Sequence, residues 1–407
     1  DILSSDPLAT LKISPDGHTA FESDTLTLPP SLMGNSHAQQ QWLLEQLPTA
    51  NLKSELPFLG GLMGYWSYDL GRNHADIPSQ HPPVTQLPLA RLGLFDWCIT
   101  FDHVTEQAWL VGSEQRRKQV MEWLNEPATP SHAFRLTQPF IAELSQAEYT
   151  ERFAAVQRYI LAGDCYQINL AQRFSARYQG DEWQAYLKLR EATPTPFSGF
   201  MAWGSQAVLS LSPERFIQCR DGLVETRPIK GTRPRGRTPE EDRALSDELL
   251  SSTKDRAENV MIVDLLRNDL GRVCTPGSIR VPQLCQLESY PNVHHLVSVV
   301  QGQLAAQHSP LSLLTAAFPG GSITGAPKIR AMQIIDELEP CQRSVYCGSL
   351  GYIDVRGSMD TSIAIRTMVA DDGALHVWGG GGLVADSKAD EEYTETLDKI
   401  RHLIDAL

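Results

Sequence analysis

The chain has 407 residues, 42% of them hydrophobic, enough to bury a large core in two or three domains or one extended one. Its 35 Lys plus Arg against 49 Asp plus Glu give a formal charge of −14. That balance disfavours nucleic acid as a partner, because phosphate binding is driven by cationic side chains. No run reaches the ~18 to 20 apolar residues of a membrane span, and no signal-peptide pattern opens the chain. The seven cysteines (98, 165, 219, 274, 285, 341 and 347) are scattered without a C-x-x-C pair. This points to a reducing, cytoplasmic compartment rather than a zinc site or disulfide frame. The start at Asp1, without methionine, is read as a missing leading segment.

Residues 1–140 read as a sheet-rich N-terminal part, with apolar alternation near 60–67 and 92–101. Residues 141–407 carry the candidate chemistry and are expected to interlock with the first part in one domain. Ser145-Gln146-Ala147-Glu148 is a capping-box pattern, followed at helical spacing by Tyr149, Phe153, Val156 and Ile160 until Gly163. Alternation of Tyr166, Ile168, Leu170, Gln172 and Phe174 predicts a strand over 165–178, and Asp181 caps a helix ending before Pro194. Strands over 207–219 and 223–229 flank the hairpin signal Asp221-Gly222. Thr238-Pro239 opens a helix, and a second covers 253–270. Strands follow over 293–304, 346–355, 361–370 and 374–379, the last two joined by Asp372-Gly373. Ser387 to Leu407 reads as a helix burying Tyr393, Leu397, Ile400 and Ile404. Hairpin-linked strands with interspersed helices predict an α+β fold.

Several patterns carry chemistry. The stretch Arg227 to Gly236 sets Lys230 among arginines, with prolines on both sides, and reads either as a surface loop or as a site. Asp255 and Glu258 share one helix face, as do Glu392 and Glu395. Each pair alone is most simply a solvated face, and Glu395 with Lys399 fits an i,i+4 ion pair. Should the two helices converge, their carboxylates are what Mg²⁺ takes. Gly320 to Lys328 resembles a phosphate loop but puts Ala326 where that loop needs lysine, leaving a glycine-rich helix entry. Gly379 to Gly382, read as leaving a strand, suits close approach of backbone amides to an anion. His294 and His295 alternate on a strand, so at most one belongs to a site.

Taken together, Gly163 to Gln167, Leu211 to Phe216, Arg227 to Gly236, Lys254 to Asn259 with Arg267 to Asp269, Gly320 to Pro327 and Asp360 to Arg366 resemble the chorismate-utilising enzyme family. Its members make anthranilate, aminodeoxychorismate, isochorismate or salicylate. The Pro-Ile-Lys-Gly-Thr form around Lys230 resembles the aminodeoxychorismate-forming branch, where anthranilate-forming members usually carry alanine. Gln167 stands where the water-using members carry a general-base lysine.

The resemblance implies two large antiparallel sheets packed together and flanked by helices, with the site in the cleft between them. It implies Mg²⁺ on Glu258 and Glu395, supported through water by Asp255 and Glu392. Tyr352, Arg366 and Lys399, with the amides of Gly380, Gly381 and Gly382, would bind the carboxylates of chorismate; Thr324 would line the ring. Lys230 would be the nucleophile, its pKa lowered by burial and by Arg227 and Arg233, with Glu214 or His295 as general acid. The implied reaction joins chorismate and ammonia into 4-amino-4-deoxychorismate, on the route to p-aminobenzoate and folate. A glutamine amidotransferase subunit would supply the ammonia. A tryptophan pocket would include Pro196 and Phe197. Alternatives are an anthranilate, isochorismate or salicylate synthase on the same scaffold and, from another class, a non-catalytic anion or amino-acid binding module.

Overall fold

The structure is a computed structural model, and it describes residues 1–48, 54–128, 131–290 and 293–407. The first part carries β1 (Ile2–Leu3), β2 (Ala9–Ile13), β3 (Thr19–Glu22), α1 (Ser36–Leu44), β4 (Gly61–Trp66), α2 (Tyr68–His74), β5 (Ala90–Phe95), β6 (Cys98–Asp102), β7 (Gln107–Val111), α3 (Glu114–Asn125), β8 (Arg135–Leu136) and β9 (Ile141–Ala142). Next come α4 (Gln146–Ala162), β10 (Gln167–Gln179), α5 (Glu182–Ala192), β11 (Phe197–Trp203), β12 (Gln206–Ser212), β13 (Arg215–Arg220), β14 (Leu223–Thr226), β15 (Ile229–Pro234), α6 (Pro239–Ser251) and α7 (Thr253–Gly271). The chain closes with β16 (Arg280–Ser289), β17 (Val293–Gln303), α8 (Pro310–Ala317), β18 (Gly325–Ala326), α9 (Lys328–Leu338), β19 (Ser349–Asp354), β20 (Met359–Ile363), β21 (Thr367–Asp371), β22 (Ala374–Leu383) and α10 (Ala389–Ile404).

Two large antiparallel sheets organise these elements. An 8-stranded sheet runs β11-β12-β21-β22-β10-β18, with β8 and β9 also on β10. An 11-stranded sheet runs β15-β17-β14-β13-β20-β19-β4-β5-β2-β3, with β16 on β17. Strands of the first hundred residues thus continue a sheet begun by the last hundred: β4 pairs β19 from Gly61–Asp354 to Trp66–Ser349. One buried cluster draws on both sheets, with Leu62, Leu92 and Ile353 from the larger and Ile168, Leu170, Val369 and Trp378 from the smaller. Each such side chain taken from water contributes roughly 1.5–3 kcal/mol. This is the α+β arrangement expected.

Local sequence explains many boundaries. Ser145 accepts from the Glu148 amide while Glu148 reaches back to the Ser145 amide, and Gly163 ends α4 at φ 83. Asp221 and Gly222 both have positive φ, 53 and 76, as a tight hairpin turn requires.

Other boundaries differ from expectation. The strand read over 207–219 is two strands in different sheets, because Pro213 has no amide to donate and the chain changes sheet there. The run over 361–370 is likewise split between β20 and β21 by a break containing Arg366 at φ 50. Arg227 to Gly236 is largely strand β15 rather than loop. The four glycines lie inside β22 instead of leaving it. Residues 320–326 are buried, so the glycine-rich entry to α9 faces the interior. Strand β16 was not anticipated; register shifts along it break the period-2 pattern.

Replacing Ser145 by alanine removes the side-chain half of the capping box, the Glu148 amide on Ser145 Oγ, and leaves the Ser145 amide on the Glu148 carboxylate. It is expected to cost about 1 kcal/mol in urea unfolding without changing the slope of the transition; an unchanged midpoint would show that tertiary packing alone fixes the start of α4.

Candidate functional site

Strand β15 pairs with β17, with an irregularity between Lys230 and Thr232. Its arginines are all engaged. Arg227 pairs with Glu288, Arg233 with Glu248 at 2.9 Å and Asp255 at 3.4 Å, and Arg235 grips Asp242 at 2.7 and 2.8 Å. Lys230 alone turns inward, where its Nζ donates to the Ser322 carbonyl at 3.1 Å. Part of its surface stays open. Desolvation lowers its pKa; Glu258 and Glu214 pull it back up, and Lys399 pushes it down. The expected help from Arg227 and Arg233 is absent because both are spent on their own carboxylates. Lys399 is the cation that acts.

Glu214 sits where the chain crosses from β12 to β13, held by its amide on Ser212 Oγ and by the Ile363 amide on its carbonyl. It is 6% exposed. Burial raises the pKa of its carboxyl, opposed by Lys230 and by hydrogen bonds from Ser322 and Ile229. Arg366 feels the Glu214 charge, although burial weakens its own hold on a proton. His295 bonds Thr232 Oγ1 through Nδ1 at 2.9 Å, and burial, reinforced by Arg366, lowers its pKa to about 4. It is therefore neutral near pH 7. His294 points to the opposite face, between Ser289 and Asp242, and stays outside the group.

The two acidic helix faces do meet. Burial raises the pKa of Glu258, which also feels Lys230, Asp255 and Glu392; burial likewise raises Glu392, which feels Glu395. Burial would raise Glu395 too, but its ion pair with Lys399 at 2.6 Å wins and lowers it. The i,i+4 pair and the acidic cluster therefore coexist. Among the described residues no three His, Cys, Asp or Glu side chains form a ready-made metal cluster. The donor set nevertheless fits a hard cation. Glu392 Oε2 is buried with no hydrogen-bond partner among the described residues, and a methyl group on Gly381 would meet it at 2.9 Å and Glu395 Oε1 at 3.4 Å.

Those contacts explain the glycine run. A Cβ on Gly380 would meet the Tyr346 hydroxyl at 2.9 Å, and one on Gly382 would strike the Gln167 amide. On one side Gly379 to Gly382 pair with β10; on the other, β21 reaches only Val377 of β22 among the described residues. Backbone beyond that point faces the site, and Lys399 Nζ donates to the Gly380 carbonyl at 2.8 Å. Gln167 is fully buried, with both amide atoms unpartnered among the described residues. Thr324 is also fully buried, its hydroxyl donating to the Gly320 carbonyl at 3.0 Å.

Tyr352 does not join this group. On β19 it pairs with Asp360 and packs edge-on against Phe58 at 5.5 Å, and its charged neighbours are Asp360, Asp354, Arg215 and Arg220. The tyrosine at the glycine strand is Tyr346, 4% exposed and stacked on Trp378 at 6.0 Å. Sequence reading missed it because it lies ahead of the strand and nothing local marks it. Pro196 is exposed, and Phe197 lies under the Arg215 guanidinium at 5.1 Å, away from Lys230.

A family profile described as chorismate binding enzyme matches residues 13–405. Aminodeoxychorismate synthase component 1 of Klebsiella aerogenes is 48% identical over 413 residues, spanning 100% of this chain and 90% of its own. Anthranilate synthase component 1 of Pseudomonas putida is 42% identical over 372 residues, 86% of this chain and 75% of its own. The crystal structure of anthranilate synthase component I from Streptococcus pneumoniae superposes with a TM-score of 0.85 at 31% identity, covering 99% of this chain and 92% of that one.

The raised pKa of Glu392 has a defined sign. A carboxyl with a raised folded pKa stabilises the fold most below its unfolded value and loses that contribution as pH rises through the folded one. Glu392→Gln should therefore raise Tm by about 2 °C at pH 7 in chelator and leave it unchanged near pH 4. Scanning calorimetry at the two pH values checks this, and equal Tm at pH 7 would contradict the assigned desolvation.

Proposed function

We propose that this chain, which belongs to the chorismate binding enzyme family, aminates chorismate with ammonia to 4-amino-4-deoxychorismate, on the route to p-aminobenzoate and folate. The observation that carries the reading is a partly buried lysine, Lys230, whose desolvated amine donates to the Ser322 carbonyl and has Glu258, Glu214, Lys399 and Glu395 as its charged neighbours. Relatives named for this product match the chain end to end.

Neutral Lys230 Nζ attacks C2 of the ring. Its electron pair enters as the diene shifts, and the C4–O bond breaks with Glu214 donating the proton that lets hydroxyl leave as water. Ammonia then attacks C4, the double bonds shift back, and the C2–N bond breaks to return the pair to Lys230. Each stage forms one C–N bond and breaks one bond to a leaving group. Glu214 suits the acid role because burial raises the pKa of its carboxyl, whereas burial lowers that of His295 to about 4. Arg366, Lys399 and the Gly380 to Gly382 backbone orient the carboxylates, with Tyr346 in the place first given to Tyr352. Glu258 and Glu395, supported by Asp255 and Glu392, would hold Mg²⁺, which when bound supplies positive charge for the ring carboxylate. Thr324 and Gln167 line the ring, and Gln167 offers no base to activate water, which supports amination over the isochorismate alternative.

The ammonia would come from a glutamine amidotransferase subunit, since little of it is unprotonated at pH 7. The free, buried cysteines support a reducing, cytoplasmic setting; no helix of the described residues is long and apolar enough to cross a membrane. A tryptophan pocket at Pro196 and Phe197 is a separate part of the proposal and rests on the family resemblance alone.

With chorismate, Mg²⁺ and no ammonia, intact-mass spectrometry should find a covalent adduct that Lys230→Ala lacks, and that variant should lose about 10³-fold or more in kcat with ammonia. An unmodified protein without adduct, or one releasing anthranilate, refutes the reading. The acid assignment separates by substitution: Glu214→Gln should cost about 10²-fold or more in kcat and His295→Asn clearly less; the reverse order would transfer the role to His295.

A further inference from the structure

Arg343 has no part in the chemistry above, yet it is 1% exposed. It follows α9 and pairs with Glu339, itself 4% exposed, through Nη2 to Oε1 at 2.6 Å and Nε to Oε2 at 2.9 Å. The rings of Tyr68 and Tyr346 lie 4.6 and 5.8 Å from the guanidinium carbon. An ion pair this deep offsets its desolvation only when its remaining donors and acceptors are used. Here they are used on backbone: Nη1 donates to the Ile323 carbonyl at 2.9 Å, Nη2 to the Asn169 carbonyl at 2.6 Å, and Glu339 Oε1 accepts from the Ala171 amide at 2.8 Å.

The two segments gripped in this way differ in how else they are held. Asn169 and Ala171 lie in β10, fixed by a ten-residue register with β22. Ile323 lies in the turn 320–324, whose other ties include the Thr324 hydroxyl on the Gly320 carbonyl, the Thr324 hydroxyl and amide on the Gly321 carbonyl, and the Asn169 amide on the Thr324 carbonyl at 2.8 Å, and which leads directly into the two-residue pairing of β18 with β10. Ile323 directly follows Ser322, whose carbonyl accepts Lys230 Nζ and whose side chain faces Glu214. Neighbouring carbonyls of one turn thus point to the two basic groups, one to Lys230 and one to Arg343.

We infer that Arg343, charged against Glu339, is a positioning residue: it sets the turn 320–324 against β10 and so aims the Lys230 amine and the Glu214 carboxyl at the ring. The inference rests on the proposed role of Lys230. Because β10 is held by a ten-residue register with β22 and Ile323 is tied to it mainly through the arginine, the loss is expected to fall on the reacting geometry rather than on substrate binding.

The test compares Arg343→Lys, Arg343→Met and Glu339→Gln with the parent, using chorismate, Mg²⁺ and ammonia, with circular dichroism to measure the folded fraction. Per folded molecule, kcat should fall about tenfold or more while KM for chorismate stays within about threefold, and Arg343→Lys should retain more activity than Arg343→Met. Hydrogen exchange should quicken in a peptide covering 320–326 and stay unchanged in α3. Folded variants with parental kcat, or losses carried wholly by KM, overturn the inference. Glu339→Gln retains the arginine but removes the charge that holds its guanidinium, and decides the matter if the arginine variants do not fold. The parent run in parallel separates the two claims: its failure to release aminodeoxychorismate refutes the proposed function, whereas the variant-to-parent kcat ratio tests the positioning role whichever product the parent makes.

Discussion

A lysine amine taken out of water among carboxylates is the constraint on which the site depends. Desolvation lowers the pKa of Lys230, and the neighbouring carboxylates raise it. The fold sets one against the other by bringing three separate elements to the amine: α7 with Glu258, α10 with Glu395 and Lys399, and the sheet crossing at Glu214. None of these is near another in sequence. Each is placed by packing against the two sheets, so the reactivity of one side chain is a property of the whole architecture.

The same constraint accounts for the arginines of β15. Arginines in and around a strand that carries a desolvated lysine would be expected to lower its pKa further by repulsion. Instead Arg227, Arg233 and Arg235 are each neutralised by a local carboxylate, which leaves them to tie β15 to α6, α7 and β16. Charge near the amine is thereby left to groups that also face the substrate space.

Much of this was legible in the sequence where the signal is local. The Ser145 capping box, the two Asp-Gly turns and the carboxylate spacing on α7 and α10 all specify their structure within a few residues. What escaped reading is what depends on partners far along the chain. Pro213 and Arg366 divide apparently continuous strands because the two sheets exchange strands there, and no window of sequence contains both sheets. The glycine strand was recognised as unusual, but its cause, carboxylates, a tyrosine hydroxyl and a glutamine amide pressing on the backbone, comes from other elements. Tyr346 was passed over for Tyr352 for the same reason: two tyrosines of similar setting in sequence are distinguished only by which face of which sheet they meet. Arg343 gave no signal, since a buried arginine looks in sequence like any surface one.

The pairing of β4 with β19 bears on how the polypeptide is made. Gly61 meets Asp354, so the 11-stranded sheet cannot close until almost the entire chain has left the ribosome. Until then the strands β2 to β5 wait with an open edge and an uncovered apolar face, the state in which chains most readily associate wrongly. For such a protein, yield in a cell depends on synthesis rate and chaperone supply as much as on the stability of the finished fold.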